Sequence, residues 1–173
     1  MADQSGNDTP QTEGAPKNTV TGKVVVEAQY IKDLSFENPL GPESARAAIR
    51  GNPDINVEVT SNAHGLGDDR YEVTLFIRGE AKAGDQTVFI IEVTYGGAFN
   101  LAGVPQEAIA PLLLVEGAQL LFPFVRNIVA EVTSSGGYPP LMIAPMDFVA
   151  LFREQHMGGA NGGNGAGKGG DTA

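Results

Sequence analysis

The feature that most constrains this chain is the change of hydrophobic period within the range Tyr71–Phe152. Apolar and polar residues first alternate as in two strands, and residues 83–86 supply a turn between them, which predicts a β-hairpin. From Pro105 the pattern becomes helical, and Pro111 and Pro123 predict kinks or restarts in that helix. An apolar loop that should be exposed follows. A small chain of this kind needs partners to cover its apolar surface.

The second half of the predicted helix is apolar around most of its circumference. Leu121, Val125 and Ile128 form one stripe, and only a few positions near them are polar. A helix of this kind is buried on more than one side, and a four-stranded sheet covers only one of them. The other side indicates a second subunit, so the sequence predicts an oligomer. A loop of the same chain that covers that side is the alternative.

Two further strands precede the hairpin. The first begins near Val24, and its alternation slips at Lys32, which predicts a β-bulge there. The second contains alternating apolar residues from Ile55 to Val59, and residues 62–69 are predicted to form a loop. Gly96-Gly97 inside the fourth strand predicts either a bulge or a close backbone approach.

The chain is predicted to form one domain between two polar ends. Residues 1–22 are predicted to be a flexible N-terminal arm, and residues 158–173, rich in Gly and Asn, a disordered tail. The domain between them, residues 23–157, contains no internal repeat. Within it, residues 43–50 fit either one or two helical turns or a loop. Asp147 is predicted to lie at the start of the last helix.

The net charge limits the class of partner. The chain carries 21 acidic and 11 basic residues, a formal charge of −10, which argues against binding to nucleic acid or to an anionic membrane surface. The charge favours a partner with a basic patch, although many cytosolic proteins are simply acidic. Residues 1–17 lack the apolar core of a signal peptide, and no uninterrupted apolar run approaches the ~20 residues of a membrane span. We therefore expect a cytoplasmic protein without membrane insertion.

Residues for catalysis and metal binding are scarce. There is no cysteine, which excludes disulfides, zinc–thiolate sites and thiol catalysis. The two histidines, His64 and His156, lie outside any metal-binding pattern. Residues 162–168 are similar to the start of a phosphate-binding loop, but Gly169 stands where magnesium coordination needs Ser or Thr. The sequence therefore predicts no cofactor, no metal and no enzymatic activity.

The first candidate binding surface is apolar. It combines the helix at 121–128, the proline-rich loop at 138–143, and the face of Phe148 and Phe152. Such a surface suits extended polypeptide with little side-chain selectivity. The alternative is that these residues only fill the core and the oligomer interface.

The second candidate surface is acidic. Asp33 and Glu37 share one side of the first strand, and Ile90 and Glu92 share one side of the fourth. If these strands lie in one sheet, the four residues form an acidic patch with an apolar centre that would dock a basic partner. Ordinary solvated carboxylates are the alternative interpretation.

Four sequence blocks within Val24–Gln155 resemble the SecB family of bacterial protein-export chaperones, and they occur in the family's order. The blocks are Ile31–Pro39, Gly96–Phe99, Leu121–Arg126 and Ser135–Leu141. The resemblance implies an α+β fold in which a four-stranded antiparallel sheet carries a long kinked helix and a C-terminal helix on one face. It also implies a homotetramer built as a dimer of dimers.

The resemblance also implies a function. SecB proteins bind unfolded secretory precursor proteins in the cytoplasm without ATP, keep them competent for translocation and deliver them to the export motor SecA. A related chaperone devoted to a single client, such as an antitoxin, is the alternative. Ile90 stands where leucine is expected and Phe124 where tyrosine is common, and residues 40–52 lack an expected tryptophan, which puts contacts from that loop in doubt.

The resemblance assigns residues to three surfaces. The SecA-binding face matches Asp33, Glu37, Ile90 and Glu92. The client-binding groove matches Leu121, Phe122, Phe124, Tyr138, Leu141, Ile143, Phe148 and Phe152. The oligomer interface matches Ile91, Val93, Tyr95, Val125, Ile128 and Val129.

Overall fold

The structure is a computed structural model that describes residues 23–43 and 52–157, without the side chains of the last two. The predicted arm at 1–22 and tail at 158–173 lie outside the described residues. Most of the segment at 43–50, for which the sequence predicts either helical turns or a loop, also lies outside them.

Four antiparallel strands form one sheet: β1 (Lys23–Glu37), β2 (Asp54–Gly67), β3 (Arg70–Ala83) and β4 (Gln86–Ala102). Their order is β1-β4-β3-β2, so the β3–β4 hairpin lies in the centre, and β1 and β2 form the edges. The predicted four-stranded antiparallel sheet is confirmed. The predicted turn at 83–86 is also confirmed, and Gly84 supplies its positive φ of 61°.

The prediction of a loop at 62–69 is wrong, because β2 continues to Gly67 and pairs with β3 almost to the turn. The two strands are joined through Asp68 and Asp69, whose φ angles are 52° and 58°. Two successive left-handed residues form a type I′ turn, whose twist matches that of the flanking strands. An Asp-Asp pair is an uncommon occupant of such a turn, and the strand before it has few apolar residues. The sequence pattern therefore concealed the hairpin.

One face of the sheet carries the core. Val73, Leu75 and Ile77 of β3 are fully buried, as are Ile91 and Val93 of β4. Each such side chain contributes about 1.5–3 kcal/mol through the surface it removes from water. This is the face predicted from the alternation of the hairpin, and the helices pack on it. We call the opposite face of the sheet the outer face.

A long helix crosses the core face in three parts: α1 (Gln106–Pro111), a π-helical turn (Leu112–Gly117) and α2 (Ala118–Ser135). The change to π-helical geometry follows Pro111 directly, which agrees with the predicted disturbance, since proline cannot donate the backbone hydrogen bond of an α-helix. Pro123 lies inside α2 and does not restart it.

The helix packs closely because β4 contains glycine beneath it. A Cβ atom at Gly97 would lie 2.7 Å from Leu121 Cδ2, so this glycine permits the helix to approach the sheet. The pairing of β4 with its neighbours shows no register shift at Gly96 or Gly97. Of the two predicted alternatives, the close backbone approach is therefore confirmed.

The combined helix, residues 106–135, is also long and apolar enough in composition to cross a membrane, because an 18-residue window within it has a mean hydropathy of 1.8. In this structure 44% of its apolar window is buried inside the protein. A core helix of a soluble protein meets the same criterion of length and composition.

The chain leaves α2 at Gly137, whose φ of 91° suits the left-handed end of a helix. An irregular loop leads to the last helix, α3 (Phe148–Met157). Asp147 Oδ1 accepts hydrogen bonds of 3.0 Å from the backbone N–H groups of Val149 and Ala150. Asp147 is therefore the N-cap of α3, as predicted.

Candidate binding surfaces

The structure brings the four predicted docking residues together on the outer face. Glu37 of β1 lies opposite Ile90 of β4, and Asp33 lies opposite Thr94, two positions along β4 from Glu92. Residues directly opposite each other on adjacent strands share a face. Asp33 and Glu37 are exposed, while Ile90 and Glu92 are half-buried. Their arrangement is an acidic patch with an apolar centre.

The predicted bulge at Lys32 is confirmed, and it decides which face these acids occupy. The pairing of β1 with β4 skips Lys32, between Ile31 opposite Tyr95 and Asp33 opposite Thr94. The extra residue inverts the alternation, so that Asp33 and Glu37 point to the outer face. Without it, regular alternation would direct them to the core face.

Charge on the outer face is partly compensated, which the sequence did not indicate. Arg78 of β3 lies directly opposite Glu92 and forms an ion pair with it. Arg78 Nη2 lies 3.9 Å from Glu80 Oε2. The carboxylate of Glu80 also pairs with Lys82, whose Nζ lies 3.2 Å from Glu80 Oε1. A basic partner that contacts Glu92 therefore competes with Arg78.

A buried carboxylate on the outer face was also missed. Glu72 of β3 is only 5% exposed. Its carboxylate accepts hydrogen bonds from the hydroxyl of Tyr30 and from Lys32 Nζ at 2.5 Å, and His64 Nε2 lies 3.2 Å away. We call Tyr30, Lys32, His64 and Glu72 the Glu72 cluster. Its members are up to 42 residues apart in the chain, so no local pattern could reveal it.

The pKa values of two groups follow from this cluster. Burial alone would raise the pKa of Glu72, but hydrogen bonds from Lys32 and Tyr30, with the charges of Lys32 and His64, hold it below its usual value. The hydrogen bond to Glu72, together with burial and the negative charge of Glu72, raises the pKa of Tyr30 to about 12. At neutral pH the cluster therefore contains an ionised carboxylate and a neutral phenol.

Most predicted client-binding residues lie inside the core on the helix side of the sheet. Six are buried, one is half-buried and one is exposed. The buried six are Leu121, Phe122, Tyr138, Leu141, Ile143 and Phe148. Phe152 is half-buried, and Phe124 is 49% exposed. The predicted groove is thus covered in this structure, and its client-binding role stays a prediction.

The loop between α2 and α3 supplies part of that cover. The ring of Tyr138 packs against Phe89 at 4.9 Å between centroids and against Phe36 at 6.2 Å. Its hydroxyl donates to Asn38 Oδ1 at 2.8 Å and also lies within hydrogen-bond distance, 3.3 Å, of the backbone carbonyl oxygen of Val88. Further along, the backbone N–H of Leu141 donates to the hydroxyl of Thr133 at 2.9 Å. Hydrogen bonds thus fix the loop at two points.

A cavity of about 390 Å³ lies between this loop and the start of β2. Phe89, Tyr138 and Leu141 line its apolar floor. Ile55 and Met142, also in the lining, are 50% and 59% exposed. The cavity has the size and composition to take an apolar side chain.

The predicted oligomer residues are mostly buried within the single chain. Ile91, Val93, Tyr95, Val125 and Val129 lie in the core between sheet and helix, and Ile128 is half-buried. Leu120 and Phe124 of α2 instead present exposed apolar surface, 41% and 49% exposed. Phe124 stacks on Tyr95 with a centroid distance of 6.4 Å, which links this surface to the core. The oligomeric state stays a prediction.

No group of three His, Asp or Glu side chains within residues 23–43 and 52–155 is placed to hold a metal ion. Arg126 Nε is buried and has no hydrogen-bond partner among the residues that the structure describes. These observations assign no catalytic chemistry.

Comparison with known proteins identifies the family. A protein-export protein SecB of a Bradyrhizobium species is 52% identical over 130 residues, which cover 75% of this chain and 79% of the relative. Another, of Rhodospirillum centenum, is 45% identical over 164 residues, which cover 94% of this chain and 97% of the relative.

A solved SecB-like chaperone of Mycobacterium tuberculosis, in complex with an antitoxin peptide, is 13% identical and matches with a TM-score of 0.60. The match covers 71% of this chain and 90% of that one, which shows a shared fold. The predicted SecB-like α+β fold is confirmed. The sequence profile described as preprotein translocase subunit SecB matches residues 17–158, and with this match over most of its length the chain belongs to the SecB family.

Proposed function

We propose that this chain is an ATP-independent holding chaperone. It binds unfolded secretory precursor proteins in the cytoplasm, keeps them competent for translocation and delivers them to SecA. The observation that carries the proposal is the separation of two surfaces. The acidic patch lies on the outer face of the sheet, and the candidate client groove lies on the helix side. Client and motor therefore bind without competing for the same residues.

The relatives support export over a dedicated role. Eight relatives that carry the name protein-export protein SecB are 44% to 52% identical to this chain. The antitoxin-bound chaperone is only 13% identical, and its likeness extends to the fold alone. A chaperone devoted to one client is therefore the weaker candidate.

On the client side, we propose that the loop at 138–147 lifts when a polypeptide binds. Its anchors are the Tyr138–Asn38 hydrogen bond and the bond from Leu141 N–H to Thr133. Each such bond contributes only about 0.5–1.5 kcal/mol net. Apolar client side chains would replace those of the loop, so the burial lost on lifting is regained on binding. Phe124 and Met142, exposed in the closed form, are the first residues to meet a client.

On the export side, we propose that SecA docks on the outer face through Asp33, Glu37, Ile90 and Glu92. Long-range attraction between a chain of charge −10 and a basic surface accelerates encounter. The half-buried Ile90 gives the patch an apolar centre, where contact with the partner excludes water.

For assembly, we propose a homotetramer whose contacts use the exposed apolar surface of α2 around Leu120 and leave Phe124 accessible to the client. The predicted interface residues beneath α2 affect assembly by positioning that helix, because they are buried within the chain.

The first test is light scattering on a sizing column, with the protein alone and after an unfolded precursor is diluted into it. We expect a tetramer that forms soluble complexes with several unrelated unfolded chains and ignores their folded forms. Adding SecA to the preformed complex should give a ternary species. A tetramer that leaves unfolded chains to aggregate contradicts the chaperone proposal, and displacement of client by SecA contradicts the separation of surfaces.

A further inference from the structure

β1 contains two bulges, and both extra residues make the same kind of contact. The pairing with β4 skips Glu27 as well as Lys32. Glu27 forms an ion pair of 2.8 Å with Arg70, and Lys32 forms one of 2.5 Å with Glu72. Both partners belong to β3, which is not adjacent to β1. Each bulged residue therefore reaches over the outer face of β4.

Small residues on β4 make room for this bridge. Gly96 lies opposite Tyr30 of β1, and Ala98 lies opposite Glu72 of β3. A Cβ atom at Gly96 would lie 2.8 Å from the Tyr30 ring. Any larger residue would lift that ring away and separate its hydroxyl from Glu72.

The Glu72 cluster differs from the Glu27–Arg70 pair in its burial and in its extent. The Glu72 side chain is 6% exposed, whereas those of Glu27 and Arg70 are 31% and 48% exposed. A buried carboxylate loses its hydration and depends on fixed partners. Tyr30 and Lys32 come from β1 and His64 from β2, so the cluster spans the sheet from edge to edge.

We propose that Glu72 is a positioning residue for the docking face: by holding Lys32 and Tyr30, it fixes the bulge that turns Asp33 and Glu37 towards the partner. This inference rests on the proposed docking of SecA. Glu72 itself is buried and does not touch the partner. Its effect passes through one residue, because Asp33 follows Lys32 directly in β1.

If Lys32 acts only through its charge, its removal changes SecA affinity in one direction. If Lys32 positions the bulge, its removal changes that affinity in the opposite direction. Removing a positive charge beside the acidic patch strengthens attraction to a basic partner. If Lys32 instead holds the bulge, its removal weakens binding. Lys82 is a matched control, because it also lies on the outer face and pairs with a glutamate. The two lysine side chains are 47% and 49% exposed.

The test measures SecA affinity by calorimetry for full-length Lys32→Met and Lys82→Met. We expect Lys82→Met to bind as well as wild type or better, and Lys32→Met to bind about tenfold more weakly. Equal affinities for the two variants would overturn the inference. Tyr30→Phe, which changes no charge, should also weaken binding, whereas Tyr71→Phe on the core face of β3, where Tyr71 lies opposite Phe99, should not. If Tyr30→Phe bound SecA with wild-type affinity, that result would also contradict the positioning role of the Glu72 cluster.

Two further measurements distinguish a failure of this inference from a failure of the proposed SecA docking. Hydrogen exchange should accelerate at the amides of residues 31–35 in Lys32→Met and stay unchanged in the β3–β4 hairpin. Glu92→Lys tests the docking face directly. If Glu92→Lys loses SecA while Lys32→Met keeps it, only the positioning role fails. If Glu92→Lys also binds normally, the docking proposal itself fails.

Discussion

The hydroxyl of Tyr138 donates to Asn38 Oδ1 over 2.8 Å and joins the end of β1 to the loop after α2, across 100 residues of sequence. One side chain therefore connects the strand of the acidic patch with the cover of the apolar groove. The ring of Tyr138 lies between these surfaces, in contact with Phe36 and Phe89.

Tyr138→Phe removes this hydrogen bond, together with the longer contact of the hydroxyl with the Val88 carbonyl oxygen, and keeps the ring. We expect the free energy of unfolding to fall by about 1 kcal/mol. We also expect faster client association, because the closed loop loses one of its two anchors. Urea unfolding and stopped-flow binding of a fluorescent unfolded client measure the two effects. Slower association in this variant would show that the loop does not need to lift.

Glu92→Lys should abolish measurable SecA binding and leave client holding intact. The substitution inverts charge in the acidic patch and places the new lysine opposite Arg78, so it also adds repulsion. Glu58→Lys is the matched control, because Glu58 also lies opposite Arg78 on the outer face, but on the edge strand β2 and away from the acidic patch. We expect a smaller loss there, measured by the same calorimetric titration. Equal losses would indicate that net charge, rather than the patch, determines binding.

Phe124→Asp should impair assembly or client binding, because it places a charge on exposed apolar surface of α2. Val149→Asp makes the same change at a position of α3 that is 42% exposed, and it should leave assembly unchanged. Light scattering gives the oligomeric state, and suppression of client aggregation gives holding activity. An unchanged tetramer with unchanged holding would remove Phe124 from both surfaces.

Gly97→Ala should destabilise the fold by about 1–3 kcal/mol, because the new methyl group would overlap Leu121. Gly65→Ala is the control, since among the described residues its Cβ atom would meet only Tyr71, at 3.9 Å. Thermal unfolding compares the two variants. Similar stabilities would mean that α2 shifts without cost.

Tyr30 should make stability depend on pH in the alkaline range. Its pKa is raised from 10.0 to about 12 in the folded protein, so folding favours the protonated phenol. The stabilisation is complete below pH 10 and is lost as the pH rises towards about 12. The difference in unfolding midpoint between wild type and Tyr30→Phe should therefore shrink across this range. A constant difference would contradict the hydrogen bond to Glu72.

Local patterns predicted much of this fold, because alternation and turn chemistry act over a few residues. The central hairpin, the bulge at Lys32 and the cap at Asp147 were all visible in this way. The β2–β3 hairpin was missed because Asp68 and Asp69 adopt positive φ angles without glycine. Its second strand was recognised only from Tyr71 onwards.

The candidate surfaces were less predictable. The shared face of Asp33 and Glu92 followed from strand phase once β1 and β4 were known to be neighbours. The pairing of Glu92 with Arg78 and the burial of Glu72 depend on tertiary contacts between strands. The covered state of the groove was also hidden, since the same apolar residues suit an open or a closed loop.

The π-helical turn at Leu112–Gly117 has a consequence for the length of the long helix. A π turn is an α-helix that has absorbed one additional residue. Deleting a single residue there would convert the turn into ordinary α-helix and leave the orientation of α2 unchanged. The same deletion near Leu121 would rotate every later side chain by about 100° and move Val125 and Val129 away from the sheet. Natural variation in the length of this helix should therefore be confined to the turn before α2.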